Sequence, residues 1–256
     1  MISVGIDIGI ENVKAVVVQD GQIKGRAKAR SGGAGRNAAA EAARQAALDE
    51  AGLTAADIAG TVATGKGKFD VAFANRQVTE AVAAAKAAKH LRPDATCVMG
   101  LGADEMLVLT FAPEGNIGEA VLNEKCAAGV GSFLRKMAMF LDLTQDEMGG
   151  LPPIAPDGPT VNDGCVVFAE LDALSLLNRG VPPTAVASAL TDAAAIRACT
   201  VINDITIPAL DCVVLVGGLT KNAAFVEALK ARSGLDFVIP DDAEYAGALG
   251  AALLGA

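Results

Sequence analysis

The chain has 256 residues, 52% of them hydrophobic, with 28 glycines and a formal net charge of -9, which is enough length for one large or two small α/β domains around a sizeable core. An acidic balance with no tryptophan and one tyrosine argues against a nucleic-acid partner, which needs clustered Lys and Arg and aromatic platforms. Five widely spaced cysteines suit reduced thiols and metal ligation better than a disulfide framework; no unbroken apolar run reaches the ~18 residues of a spanning helix, and no basic, apolar leader opens the sequence, so a cytoplasmic protein without a membrane partner is expected.

Residues 3–9, 13–18 and 23–30 alternate or run apolar and predict a three-strand meander, with Asp20-Gly21 as a tight hairpin turn between the second and third strands. The alanine-rich stretch 38–51 predicts a helix closed by Gly52, followed by a strand at 61–64 and a helix at 77–90. This βββαβα order restarts after Pro93 with strands at 96–99, 106–111 and 117–122, the last two joined by the turn Pro113-Glu114-Gly115-Asn116. Helices follow at 130–142, 169–179 and 182–202, then a strand at 212–216, a helix from Asn222, a strand at 237–239 and a last helix from Tyr245. The Gly- and Pro-rich segment 149–164 reads as the longest loop and delivers Cys165. The pseudo-repeat predicts two related lobes, 1–93 and 94–256, around a cleft, with the last helix returning to the first lobe.

Two cysteines stand apart from the others. Cys126 lies in Asn123-Glu124-Lys125-Cys126-Ala127-Ala128-Gly129-Val130-Gly131-Ser132-Phe133, at the mouth of a glycine-punctuated helix start, and Cys165 follows Asn162-Asp163-Gly164 ahead of another helix-forming run. Unpaired N–H groups and the positive end of the helix dipole favour a thiolate or an anionic cluster at such positions. One chain then supplies two ligands where a cuboidal iron-sulfur cluster needs four, and the simplest closure is a dimer with the cluster on its axis. Cys97, Cys199 and Cys212 are expected to be small buried hydrophobes, and His90, the one histidine, a solvated helix end.

Asp7 lies between two strands of the first hairpin, Gly9 turns the chain so that backbone N–H groups can face phosphate, and Lys14 can approach the same anion; Asp7 would then bind Mg²⁺ or its water. The same triplet equally suits an ordinary polar strand turn. Asn12 can donate to phosphate, whereas Glu11 would repel it if turned inward. In Met99-Gly100-Leu101-Gly102-Ala103-Asp104-Glu105-Met106, Gly102 allows close backbone approach and Asp104 or Glu105 can serve a metal or water; a hairpin with solvated acids fits as well. Gly217-Gly218 after Val213-Val214-Leu215-Val216, with Asn222 at a helix start, suits an adenosine-side loop or a generic strand-to-helix turn.

Gly5-Ile6-Asp7-Ile8-Gly9 with Lys14, Val62-Ala63-Thr64-Gly65-Lys66-Gly67, both cysteine segments, Gly217-Gly218 with Asn222, and Gly247-Ala248-Leu249-Gly250-Ala251-Ala252 run nearly end to end. Together they make the chain resemble the ATPase components that activate 2-hydroxyacyl-CoA dehydratases and the ATPase subunits of ATP-dependent benzoyl-CoA reductase. The resemblance implies an actin-like, sugar-kinase-like ATPase fold with ATP, Mg²⁺ and a 4Fe-4S cluster shared between two subunits. It implies catalytic roles for Asp7, Lys14 and Asp104, nucleotide contacts at Gly9, Asn12, Gly102, Gly217, Gly218 and Asn222, and cluster ligation by Cys126 and Cys165. The implied partners are a homologous ATPase subunit, acyl-CoA reductase or dehydratase catalytic subunits that receive single low-potential electrons, and a ferredoxin-like donor. The chain departs from the family at Ile10-Glu11-Asn12, where relatives usually carry small hydroxyl residues, and at Gly100, where they lead with Asp. These departures and Asn123-Glu124-Lys125-Cys126 look most like a smaller ATPase subunit of a benzoyl-CoA reductase paired with a sibling. The alternatives are a non-hydrolysing structural subunit that shares the cluster with an active sibling, and a sugar-kinase-like enzyme without a cluster.

Overall fold

The computed structural model describes residues 1–32, 35–123, 129–205 and 212–255. Strands β1 (Ile2–Ile8), β2 (Asn12–Gln19) and β3 (Gln22–Arg30) form the expected antiparallel meander. Its second turn holds Asp20 at φ 51° and Gly21 at φ 81°, the left-handed pair that matches the twist of a two-residue hairpin. After α1 (Arg36–Ala51), β4 (Gly60–Thr64) joins β1 in parallel and the two-residue β5 (Arg76–Gln77) joins β4. Helix α2 (Glu80–Leu91) starts later than the predicted 77 because residues 76–77 pair with β4 and the Thr79 side chain caps the helix by accepting from Val82 N.

Strands β6 (Cys97–Leu101), β7 (Met106–Phe111), β8 (Ile117–Leu122), β9 (Val213–Val216) and β10 (Phe237–Val238) build a second sheet. The sheet orders are β3-β2-β1-β4-β5 and β10-β9-β6-β7-β8, so each carries an antiparallel meander on one side of its first strand and a parallel pair on the other. The helices α3 (Val130–Phe140), α4 (Gln145–Gly149), α5 (Val166–Asn178), α6 (Pro183–Asn203) and α7 (Ala223–Ser233) belong to the second half, and α8 (Ala246–Leu253) follows. Helix α4 is absent from the prediction, since five residues are too few to show a period, although the Thr144 and Glu147 capping box marks it. Helix α5 begins at Val166 rather than at 169, which makes Cys165 its N-cap.

One face of the first sheet, with Val4, Ile6, Ile8, Val13, Ala15 and Val17, packs on α1. One face of the second, with Cys97, Met99, Leu101 and Val108, packs against Phe133 of α3, Leu190 of α6 and Phe225 of α7. Burial raises the Cys97 thiol to about 12. The remaining faces look toward each other across α2 and α8, where Val16, Val98, Leu109 and Val214 gather around Ala84, Ala88, Ala248 and Leu249. Backbone approach demands this smallness: a Cβ on Gly5 would lie 1.9 Å from Ala248 O, and one on Gly250 would lie 1.8 Å from Ala83 O. Ser3 Oγ, on the first strand, donates to Ala252 O at 2.8 Å.

Among the described residues α6 is long and apolar enough to cross a membrane, against the expectation that no segment is. The expectation weighed unbroken apolar runs, whereas α6 reaches the threshold through dispersed alanines. Its window is 72% buried inside the protein, as befits a core helix.

Gly250→Val wedges α8 away from α2 and is expected to cost about 1–3 kcal/mol or more in urea unfolding. Gly164→Ala, whose added methyl would have Asn162 Oδ1 at 3.8 Å as its nearest neighbour, should stay within about 0.5 kcal/mol of the parent.

Candidate nucleotide-binding cleft

The two sheets present the same turn to the gap between them. Gly9 N donates to Asn12 O at 3.0 Å between β1 and β2, and Gly102 N donates to Glu105 O at 2.9 Å between β6 and β7. Buried Ser31 pins the first turn, its Oγ donating to Gly9 O at 2.7 Å and its N to Glu11 O at 3.0 Å. Between the turns opens a cleft of about 470 Å³, a volume suited to a small-molecule ligand. Asp7, Gly9, Asn12, Lys14, Gly102, Asp104, Gly217 and Gly218 all line it. Asn222 does not: its Oδ1 accepts from Phe225 N at 2.8 Å and caps α7, beside a smaller hollow against α3 and α4. The Gly9 N–H, expected to face phosphate, is engaged within its own turn.

Asp7 is the polar centre on the side of the first sheet. In register it stands opposite Lys14 on β2 and Thr64 on β4. Its carboxylate fits between two glycines: a Cβ on Gly65, which sits at φ 88°, would lie 2.6 Å from Oδ1, and one on Gly247 would lie 2.7 Å from Oδ2. Burial pushes the Asp7 carboxyl above the usual carboxylate range, Lys14 opposes this, and Glu80 adds to the rise. Thr64 is 1% exposed and its Oγ1 has no hydrogen-bond partner. A desolvated carboxylate and an orphan hydroxyl in one cleft are groups that a cation and a phosphate oxygen would satisfy. Nucleotide-borne Mg²⁺ needs only one or two protein carboxylates, so Asp7 fits it; among the described residues no group of three or more His, Cys, Asp or Glu is gathered to hold a metal alone.

Several ion pairs bridge the cleft. Glu11, at the cleft lining, pairs with Arg135 of α3 at 2.5 Å. Lys66, after β4, pairs with Glu105 on the facing turn. At the Gly217-Gly218 end, Lys28 of β3 and Lys221 converge on buried Glu244. Burial pushes the Glu244 carboxyl up, but Lys221 and Lys28 outweigh it and hold it below the usual range. Sequence reasoning does not single out Thr64, Lys66, Glu80, Lys28, Lys221 or Glu244 as site residues, because register and packing bring them in from distant segments. The glycines flanking Lys66 in Thr64-Gly65-Lys66-Gly67 are the one local signal that could have found part of this set.

Helix α3 is fastened to both turns. Ser132 N donates to Ala103 O at 2.7 Å, and a Cβ on Gly129 would lie 2.1 Å from Asp104 Cα, while Arg135 holds Glu11. Cys126, which precedes this helix, lies outside the described residues. Cys165 is a free, half-buried thiol whose backbone N donates to Asn162 Oδ1 at 2.7 Å; it is not part of the cleft lining.

The family model for the BadF/BadG/BcrA/BcrD ATPase family matches residues 4–255. The chain is 34% identical to the activator of lactoyl-CoA dehydratase of Anaerotignum propionicum, over 99% of this chain and 96% of that protein. It is 31% identical to a benzoyl-CoA reductase subunit of Thauera aromatica, over 100% of this chain and 93% of that protein. The solved activator of the 2-hydroxyisocaproyl-CoA dehydratase from Clostridium difficile, with bound ADPNP, superimposes with a TM-score of 0.91 at 26% identity, covering 100% of this chain and 94% of that one. The fold is the actin-like, sugar-kinase-like α/β fold, which sugar kinases share at lower identity. The chain belongs to the BadF/BadG/BcrA/BcrD ATPase family.

Proposed function

We propose that this chain is the ATP-driven activator of an acyl-CoA dehydratase or benzoyl-CoA reductase, hydrolysing Mg-ATP between lobes 1–93 and 94–256 and passing single low-potential electrons to that partner. The observation that carries the proposal is the attachment of α3, the helix that follows Cys126, to both turns of the cleft through Arg135, Ser132 and Gly129. Relatives at 34% and 31% identity, one from each partner class, support it, and the altered turns favour the benzoyl-CoA reductase type.

In this reading Asp7 holds Mg²⁺, which would neutralise phosphate charge, while Lys14 lies against the same phosphates and Asp104 positions the attacking water. Gly217 and Gly218 leave backbone open to the adenosine. Asn12 donates to phosphate, and Gly102 lets the second turn approach it. Release of phosphate changes the separation of the two turns, and α3 moves with them. Cys126 and Cys165 supply two thiolates to a 4Fe-4S cluster, and a homologous subunit supplies the rest. When bound, that cluster would supply one-electron transfer at low potential, and a ferredoxin-like protein would be its donor.

Asp7→Asn is expected to slow single-turnover ATP hydrolysis in the assembled complex by about 10²-fold or more while nucleotide binding persists. The same substitution should raise Tm at neutral pH. Since the folded-state carboxyl is raised, its contribution to stability is present at low pH and lost as pH rises through that value, and Asn removes the loss; the two proteins should converge at low pH. Unchanged hydrolysis and electron delivery in both Asp7→Asn and Asp104→Asn would leave the non-hydrolysing subunit reading in its place.

Cys126→Ala and Cys165→Ala should each abolish bound iron and sulfide after anaerobic purification, whereas Cys97→Ala, buried in the core, should retain them. Full iron in both the Cys126→Ala and Cys165→Ala variants would remove the cluster from the proposal.

A further inference from the structure

Lys66 projects from the first-lobe side of the cleft, and its ammonium crosses to the Glu105 carboxylate on the second-lobe turn. The Lys66 side chain is 50% exposed, so its ammonium can swing from Glu105 to a more strongly charged anion, whereas Glu105 is 19% exposed and its Oε2 is buried. Glu105 foremost, then Glu80 and Asp104, keep the ammonium charged. A second observation is independent of this pair. Thr64, two positions earlier and level with Asp7, is buried with its hydroxyl unpartnered at the same cleft. Gly65 separates the two at φ 88°, packed against Asp7 Oδ1 and Ile8 O, which fixes both on the Asp7 side. At the opposite end, beside Gly217-Gly218, Lys28 and Lys221 are both engaged by Glu244. An unpaired hydroxyl and an exchangeable ammonium, both at the Asp7 end, match an anionic oxygen cluster at the far tip of the ligand.

We propose that Lys66 and Thr64 read the terminal phosphate of the nucleotide: Lys66 leaves Glu105 for the γ-phosphate, and Thr64 Oγ1 donates to the same group. A diphosphate does not reach either, so Lys66 stays on Glu105 and the pair sets a preference for the triphosphate. The inference rests on the nucleotide site proposed above and deepens it by assigning specificity residues.

Calorimetric titration of the full chain with Mg-ADPNP and Mg-ADP tests it. Lys66→Met should lower the ratio of ADPNP to ADP affinity about tenfold, with ADP affinity unchanged within about twofold, and Lys66→Arg should restore the ratio. Thr64→Val, nearly isosteric, should lower the ratio while raising Tm, because it removes an unsatisfied buried hydroxyl. Glu105→Gln should tighten ADPNP binding in the parent and have no effect in the Lys66→Met background. If Lys66→Met and Thr64→Val both bind ADPNP with the parent's ratio, the inference falls and the proposed function stands. If the unaltered chain binds neither nucleotide, both fall.

Discussion

The spacing of the two sheets is set by two helices that carry almost no side chain where they meet. Ala83, Ala84 and Ala88 of α2 and Ala248, Gly250 and Ala252 of α8 bring backbone to backbone, so that the sheets face each other across a thin layer of small residues. Every larger feature follows from that thinness. The Gly9 and Gly102 turns come near enough to bracket one cleft, and Gly247 at the start of α8 can abut the Asp7 carboxylate. One helix thus determines both the junction of the halves and the burial that raises the Asp7 carboxyl.

Much of this architecture is legible in the sequence where short-range chemistry decides it. Asp20-Gly21 can make its turn alone, Gly52 closes α1 in the left-handed region at φ 67°, and the apolar strands of both halves announce themselves. Elements whose existence depends on distant partners are not legible. β5, two residues long, exists because β4 offers an edge, and pairing of residues 76–77 moves the start of α2. The site divides the same way. Asp7, Lys14 and Gly217-Gly218 are visible as local turn chemistry, whereas Thr64 enters by register opposite Asp7, and Glu244 by the convergence of Lys28 and Lys221. Asn222 stands at a helix start as its sequence context suggests, yet its side chain is occupied with capping that helix.

The altered first turn also has a physical account. A bare carboxylate at Glu11 would be costly beside phosphate, but Arg135 of α3 compensates its charge where it lines the cleft with Asn12 and Lys14. Glu11 thereby ties the two halves together. With Ser132 and Gly129 already seated on the second turn, α3 touches both sides of the gap and has no position independent of them.

The return of α8 to the first sheet has a consequence for biosynthesis. Ser3 and Ala252, joined by a hydrogen bond, stand 249 positions apart, and Val16 and Val18 rely on the same late helix for cover. A ribosome adding about 5–20 residues per second exposes that apolar sheet face for many seconds before its cover emerges. Because the intervening half must be made first, the N-terminal half cannot complete its fold in order of synthesis. The nascent chain carries an open hydrophobic sheet face until α8 has been made.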